Sequence, residues 1–82
     1  MKARILVVDD EEIVIRSCLR ILGDDGDYEV EAVQDGMEAL RKIDESNFDV
    51  LILDIMMPRL DGLEVLRRVK ETHPDIDVIM VT

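Results

Sequence analysis

Four side chains have types and positions that suit joint chemistry: the carboxylates of Asp9, Asp10 and Asp54 and the hydroxyl of Thr82. Each closes a short apolar run. Leu6-Val7-Val8 leads into Asp9-Asp10, Val50-Leu51-Ile52-Leu53 into Asp54, and Val78-Ile79-Met80-Val81 into Thr82. Runs of this length, rich in β-branched residues, read as strands buried on both faces of a parallel sheet, and open sheets of that kind take their ligands beyond the strand carboxyl ends. Three carboxylates gathered there are costly. Two of them about 5 Å apart repel by roughly 3 kcal/mol at an effective dielectric near 20. Such a cluster implies a cation or raised pKa values. An all-oxygen donor set of two or three carboxylates suits Mg²⁺, which keeps waters and accepts phosphate oxygens. A carboxylate can also attack phosphorus, so Asp54 beside Mg²⁺, with Thr82 donating to a phosphoryl oxygen, has the parts for phosphoryl transfer through an acyl phosphate. The structural alternative makes Asp9 and Asp10 helix caps and Thr82 a strand-end residue.

The elements that must position these groups alternate in kind. After the first strand, Arg4 to Val8, the acids Asp9 to Glu12 suit the positive end of a helix whose buried face carries Ile15, Cys18, Leu19 and Leu22, with Arg16 and Arg20 outward. Gly23 or Gly26 ends it. Tyr28, Val30 and Ala32 alternate with Glu29 and Glu31, the period of an edge strand. Asp35-Gly36-Met37-Glu38 and Asp61-Gly62-Leu63-Glu64 each pair an Asp N-cap with a Glu able to reach back to the cap's amide. The first helix so opened turns Ala39, Leu40 and Ile43 inward and stops near Ser46-Asn47. The second buries either Leu63, Leu66 and Val69 or Val65 and Val69, and stops before His73-Pro74. Between them Val50 to Asp54 forms a strand, stopped by Pro58. The order strand, helix, strand, helix, strand, helix, strand predicts a parallel α/β sheet with right-handed crossovers and all strand C-terminal ends on one edge.

Composition limits the partners. The 82 residues hold 20 acidic and 10 basic side chains, a net charge of −10, which repels phosphate backbones and anionic lipid; direct nucleic-acid binding by this segment and membrane association are not expected. The apolar run near the N-terminus is too short for a signal sequence or a membrane span, so the expected compartment is the cytoplasm. Hydrophobic residues make up 48%, enough for one small domain over 1–82. The one cysteine, Cys18, reads as a small core residue.

At this point the residues resemble a family, the receiver domains of bacterial two-component response regulators. The likeness rests on Val7-Val8-Asp9-Asp10 followed by Glu11, on Leu53-Asp54-Ile55-Met56-Met57-Pro58, on Asp61-Gly62, and on Val81-Thr82, all in the family's order and spacing. The resemblance implies a flavodoxin-like open parallel sheet of order 2-1-3-4. It implies that Asp54 is the phosphoacceptor, charged from a phosphohistidine on a sensor histidine kinase or phosphotransfer protein. Asp10 would be a direct Mg²⁺ ligand, Asp9 a ligand through water, Met56 a ligand through its backbone carbonyl, and Thr82 the hydroxyl that moves toward the phosphoryl group. The module would signal rather than turn over a substrate. Against the family pattern, the 82 residues read as a partial receiver domain without the final helix-strand-helix and its Lys; none of Lys2, Lys42 and Lys70 matches that position. A degenerate receiver fold that docks or assembles without phosphorylation is the alternative. Two other classes fit worse. A phosphatase with an Asp nucleophile needs a second Asp where Met56 stands, and a flavin site needs a glycine- and hydroxyl-rich loop where this chain has four acids.

The remaining residues are expected to be ordinary: His73 as a turn residue or a partner for the last helix carbonyls, Met37, Met56 and Met57 as packing, and Asp24, Asp25, Asp27, Glu29 and Glu31 as a solvated face. One helix on one face and two on the other leave the sheet under-covered. Apolar side chains from Leu6, Val8, Leu51, Leu53 or their neighbours would then meet water, and the chain is expected to pair with another copy or to fold loosely.

Overall fold

The computed structural model describes residues 2–23, 26–57 and 61–81. Its elements are β1 (Ala3–Val8), α1 (Glu12–Gly23), β2 (Tyr28–Val33), α2 (Gly36–Glu45), β3 (Val50–Asp54), α3 (Gly62–Thr72) and β4 (Asp77–Val81). The strands form one parallel sheet in the order β2-β1-β3-β4, as expected. Asp24, Asp25, Pro58 and Thr82, and with them the strand-stopping role expected of Pro58 and the site role expected of Thr82, lie outside the described residues.

Strand alternation divides the apolar residues between two layers. Leu6, Val8, Leu51 and Leu53 pack with Ala39 and Ile43 of α2 and Val65 and Val69 of α3, while Ile5 and Val7 pack with Ile15 of α1. The expectation for the bare face is therefore corrected in its residues. Leu6, Val8, Leu51 and Leu53 are at most 1% exposed, because their parity puts them under α2 and α3. The exposed face is the opposite one, beyond the reach of α1. Along the paired row Ala32, Val7, Ile52, Ile79, cover fades toward the β4 edge: Val7 is 1% exposed and Ile79 52%.

The two Asp-Gly-x-Glu openings set the rotation of their helices. Asp35 Oδ1 accepts the Glu38 amide at 2.8 Å and Asp61 Oδ1 accepts that of Glu64 at 3.0 Å. Both glycines face inward, and the residues three and seven positions on follow them into the core: Gly36, Ala39 and Ile43 in α2, Gly62, Val65 and Val69 in α3. Of the two stripes open to α3, the Val65 and Val69 stripe is buried and Leu63 is 59% exposed. The capping is one-sided. The Glu38 carboxylate lies by Arg41, and that of Glu64 binds Arg67 and Arg68, instead of returning to the caps.

Several surface expectations change. Leu19 is 37% exposed, because it lies over the β2 edge near Val30 and Ala32 with no further described element above it. Met37 and Met56 are 59% and 78% exposed; only Met57 is core. Glu31 is not a solvated acid, since it bonds Lys42 and Arg4, each at 2.6 Å. His73 caps α3 through its own amide, donated to the Val69 carbonyl at 2.7 Å, but its ring meets a carboxylate rather than a carbonyl, with Nε2 2.9 Å from Asp44 Oδ1.

Candidate functional site

The three acids expected at the sheet edge meet there. Asp9 follows the last residue of β1, and its amide donates to the Val33 carbonyl at 3.2 Å, extending the β1–β2 pairing by one step. Asp54 is the last residue of β3, and the next amide, that of Ile55, donates to the Val81 carbonyl at 3.1 Å. Each acid is thus fixed by ladder bonds at its own strand end. Asp9 and Asp54 are buried, at 6% and 9% exposure, whereas Asp10 is exposed. One carboxylate oxygen from each of the three lies within 4.8 Å of the others.

Backbone amides aim the two buried carboxylates. Glu11 donates to Asp9 Oδ1 at 2.9 Å and Met56 to Asp54 Oδ1 at 3.1 Å. Burial pushes the Asp9 carboxyl above its ordinary range; the Glu11 amide opposes that rise, and the charges of Asp54 and Asp10 reinforce it. The Coulombic cost anticipated for three gathered acids is therefore felt at Asp9. No buried side-chain polar atom among the described residues lacks a hydrogen-bond partner, so the strain is one of charge rather than of missing bonds.

A cleft of about 330 Å³ opens beside these groups, lined by Asp9, Glu11, Asp54 and Met56 on its polar side and by Val14, Cys18, Ile52 and Val81 on its apolar side. Cys18 is packed against the α1 layer and half-buried, as its core reading requires.

The donor set fits a hard divalent ion. It is all oxygen and includes no His or Cys ligand. Oxygens around one octahedral Mg²⁺, with bonds of about 2.0–2.1 Å, lie roughly 3–4 Å apart. The three carboxylate oxygens, all within 4.8 Å of one another, are spread slightly more widely than that. Met56 reaches the site through its amide, which donates to Asp54 Oδ1, with its side chain in solvent. Lys42 and Lys70 are engaged elsewhere, with Glu31 and with the Ile76 carbonyl.

Two contributions escaped the sequence reading. The amides of Glu11 and Met56 orient the acids, and the Gly62 amide donates to the Ile55 carbonyl at 3.0 Å, joining the start of α3 to the residue after Asp54. Main-chain donors leave no mark on residue type. The Asp61-Gly62 pair was visible as a helix cap and as part of the family resemblance, but not as a contact to the main chain after Asp54.

Comparison with known proteins follows the same lines. The family model of the response regulator receiver domain matches residues 5–82. Response regulator MprA of Mycobacterium tuberculosis is 49% identical over all 82 residues, which cover 35% of that protein. The chain thus spans about a third of the length of the curated relatives it matches. Among solved structures, a CheY-like receiver domain protein from Methanospirillum hungatei superposes with a TM-score of 0.96 at 36% identity, over 100% of this chain and 65% of that one. TrrA from Thermotoga maritima, crystallised in complex with Mg²⁺-BeF, gives 0.90 at 41% identity, over 98% of this chain and 68% of its own.

Proposed function

The chain belongs to the response regulator receiver domain family, and from that membership we propose that Asp54 accepts a phosphoryl group from a phosphohistidine of a sensor histidine kinase or phosphotransfer protein. In that transfer an Asp54 carboxylate oxygen forms the new bond to phosphorus as the bond to the histidine nitrogen breaks; the electron pair returns to the ring, which carries a proton on its other nitrogen, leaving an aspartyl phosphate and a neutral imidazole. Receiver domains are signalling modules, and residues 1–82 are read as part of one. The observation that carries the proposal is the convergence of Asp9, Asp10 and Asp54 at the strand ends, with both buried acids aimed by backbone amides.

Mg²⁺ is the cation the acid cluster would hold, with Asp10 and Asp54 binding directly, Asp9 through water, and Met56 through its carbonyl; when bound it supplies charge neutralisation for the incoming phosphoryl oxygens. That the related TrrA was crystallised in complex with Mg²⁺-BeF supports the choice of cation. This chain's own residues do the rest. The Met56 amide holds Asp54 Oδ1 and so orients the nucleophile, while β1 and β3 fix the spacing of the acids. Thr82 is proposed as the hydroxyl that binds the phosphoryl group. No helix among the described residues is long and apolar enough to cross a membrane, and a cytoplasmic role fits the proposed partners. The intact acid set weighs against the phosphorylation-independent docking reading.

The test is incubation with acetyl phosphate and Mg²⁺, read by intact mass. A single phosphoryl adduct that disappears in Asp54→Asn is expected. An adduct that persists in Asp54→Asn would remove the acceptor assignment.

A further inference from the structure

The first turn of α3 reaches the site through its backbone. Gly62 opens that helix and is buried. A Cβ built on it would stand 2.2 Å from the Asp54 carbonyl oxygen, 2.7 Å from the Ile55 Cα and 2.9 Å from the Asp54 carbonyl carbon. All three are main-chain atoms, so no side-chain rotation relieves the overlap. The requirement is for space and not for an unusual φ, since among the described residues the only glycine with positive φ is Gly26. A methyl group at position 62 would force apart either the start of α3 or the end of β3, by about 1 Å, since ordinary van der Waals contact begins at 3.4 Å.

The segment on the other side of that contact is the one that carries the site. The Asp54 carboxylate is held by the Met56 amide at 3.1 Å, the Ile55 amide by β4 at 3.1 Å, and the Ile55 carbonyl by the Gly62 amide at 3.0 Å. Asp54 and Ile55 are therefore clamped between β4 and α3, with the Met56 amide tied to the Asp54 carboxylate, and the α3 side of the clamp closes only because position 62 lacks a side chain. We infer that Gly62 is a positioning residue for the acid site: it seats α3 on the main chain of Asp54 and so fixes where the Asp54 carboxylate and the Met56 peptide stand relative to Asp9 and Asp10. The inference rests on the proposed cation site and adds the element that sets its geometry. It also makes α3 the helix mechanically tied to the acceptor, through backbone contact.

The twin caps supply the control. Asp35 and Asp61 make the same bond to the third helical amide, but only Asp61 opens the helix seated on Asp54. Mg²⁺ affinity, measured by calorimetric titration, and thermal midpoint are compared across variants of the whole chain. Gly62→Ala is expected to weaken Mg²⁺ binding about tenfold, the lower end of the effect of removing groups that orient metal ligands, whereas Val69→Ala, buried farther along α3, lowers the midpoint and leaves affinity within about twofold. The Ile55 and Met56 amide resonances shift in the first variant and not in the second. Asp61→Ala, which loosens the same turn without crowding it, weakens binding by about threefold, Asp61→Ser restores it by keeping a cap acceptor, and Asp35→Ala has no effect on affinity. The Asp61 series carries the test should Gly62→Ala fail to fold. Parent-like affinity in a folded Gly62→Ala, or in Asp61→Ala, would overturn the inference while Asp10→Ala still abolishes binding. A parent that binds no Mg²⁺, or one matched by Asp10→Ala, would remove the cation site itself and this inference with it.

Discussion

Burial makes Asp9 the residue whose charge costs most. It is 6% exposed, faces Asp54, and has its carboxyl pushed upward first by desolvation and then by its acidic neighbours. A raised folded pKa means that Asp9 stabilises the fold most when protonated, below its ordinary value of 3.8, and that this contribution is lost as pH rises through the raised value. At neutral pH without a cation the charge is a liability. Asp9→Asn keeps an oxygen to accept the Glu11 amide and removes one charge, so it should raise the stability of the metal-free chain by about 1–2 kcal/mol, part of the roughly 3 kcal/mol expected for two carboxylates about 5 Å apart. The same change should remove most of the stabilisation that Mg²⁺ gives the parent, since a ligand raises stability only as far as it binds the folded state. Thermal melts in chelator and in excess Mg²⁺ measure both. A substituted chain that melts below the parent in chelator would show that the Asp9 charge is not a cost. These acids were legible in sequence because each ends a strand-like run. The amides that aim them were not, because a main-chain donor looks the same under any side chain.

Among the elements, the order of strands and helices followed from periodicity, whereas the rotation of α3 did not. Both Leu63 with Leu66 and Val65 with Val69 make apolar stripes, and periodicity alone cannot choose between them. The choice is made by Gly62, which must face the Asp54 main chain and carries Val65 and Val69 inward with it. Charge joins other elements. Arg4 of β1 and Lys42 of α2 both bind Glu31 of β2, and Arg4 also reaches the Asn47 carbonyl at 3.0 Å and lies over the Phe48 ring, 4.8 Å from its centroid. The Lys42 bond, ahead of the Arg4 contribution, holds the Glu31 carboxyl below its ordinary 4.5. A lowered folded pKa gives stability that is present above the ordinary value and lost as pH falls through the lower one. Stability measured by urea unfolding should therefore drop between about pH 4.5 and the lower folded value by more in the parent than in Glu31→Gln. The difference should be on the order of 0.5 kcal/mol, because solvent screens a half-buried pair. Lys42→Met should reduce the same slope. Equal slopes in all three would mean that the cluster fixes geometry without contributing pH-dependent stability.

The molecule as a whole is asymmetric across its sheet. Two helices seal the face formed by Leu6, Val8, Leu51 and Leu53, while α1 alone serves the other and covers Ile5 and Val7 but not the β4 edge. Ile79 and Val81 stay 52% and 38% exposed, Val50 and Ile52 are half-buried, and among the described residues β4 pairs on one side only. That strip amounts to on the order of 200 Å² of apolar surface, worth about 5 kcal/mol at ~25 cal/mol per Å² if covered. A small domain has about 5–15 kcal/mol in all, so the incentive to cover it is large on that scale. For the 82-residue polypeptide alone in solution, a second copy laid edge to edge along β4 is the available cover, and it would give the unpaired strand partners as well. Opposing this, each copy carries a net charge of −10. Association should therefore strengthen with salt, as screening shortens the reach of that repulsion from ~10 Å at 0.1 M to ~3 Å at 1 M. Sedimentation equilibrium at low and high salt tests it, with Ile79→Lys as the variant that places a charge in the strip. A monomer–dimer equilibrium that tightens with salt and is lost in Ile79→Lys is the expected outcome. A compact monomer with a cooperative melt at micromolar concentration in both buffers would show that the two sealed layers are sufficient, and that the bare strip costs the fold less than its area suggests.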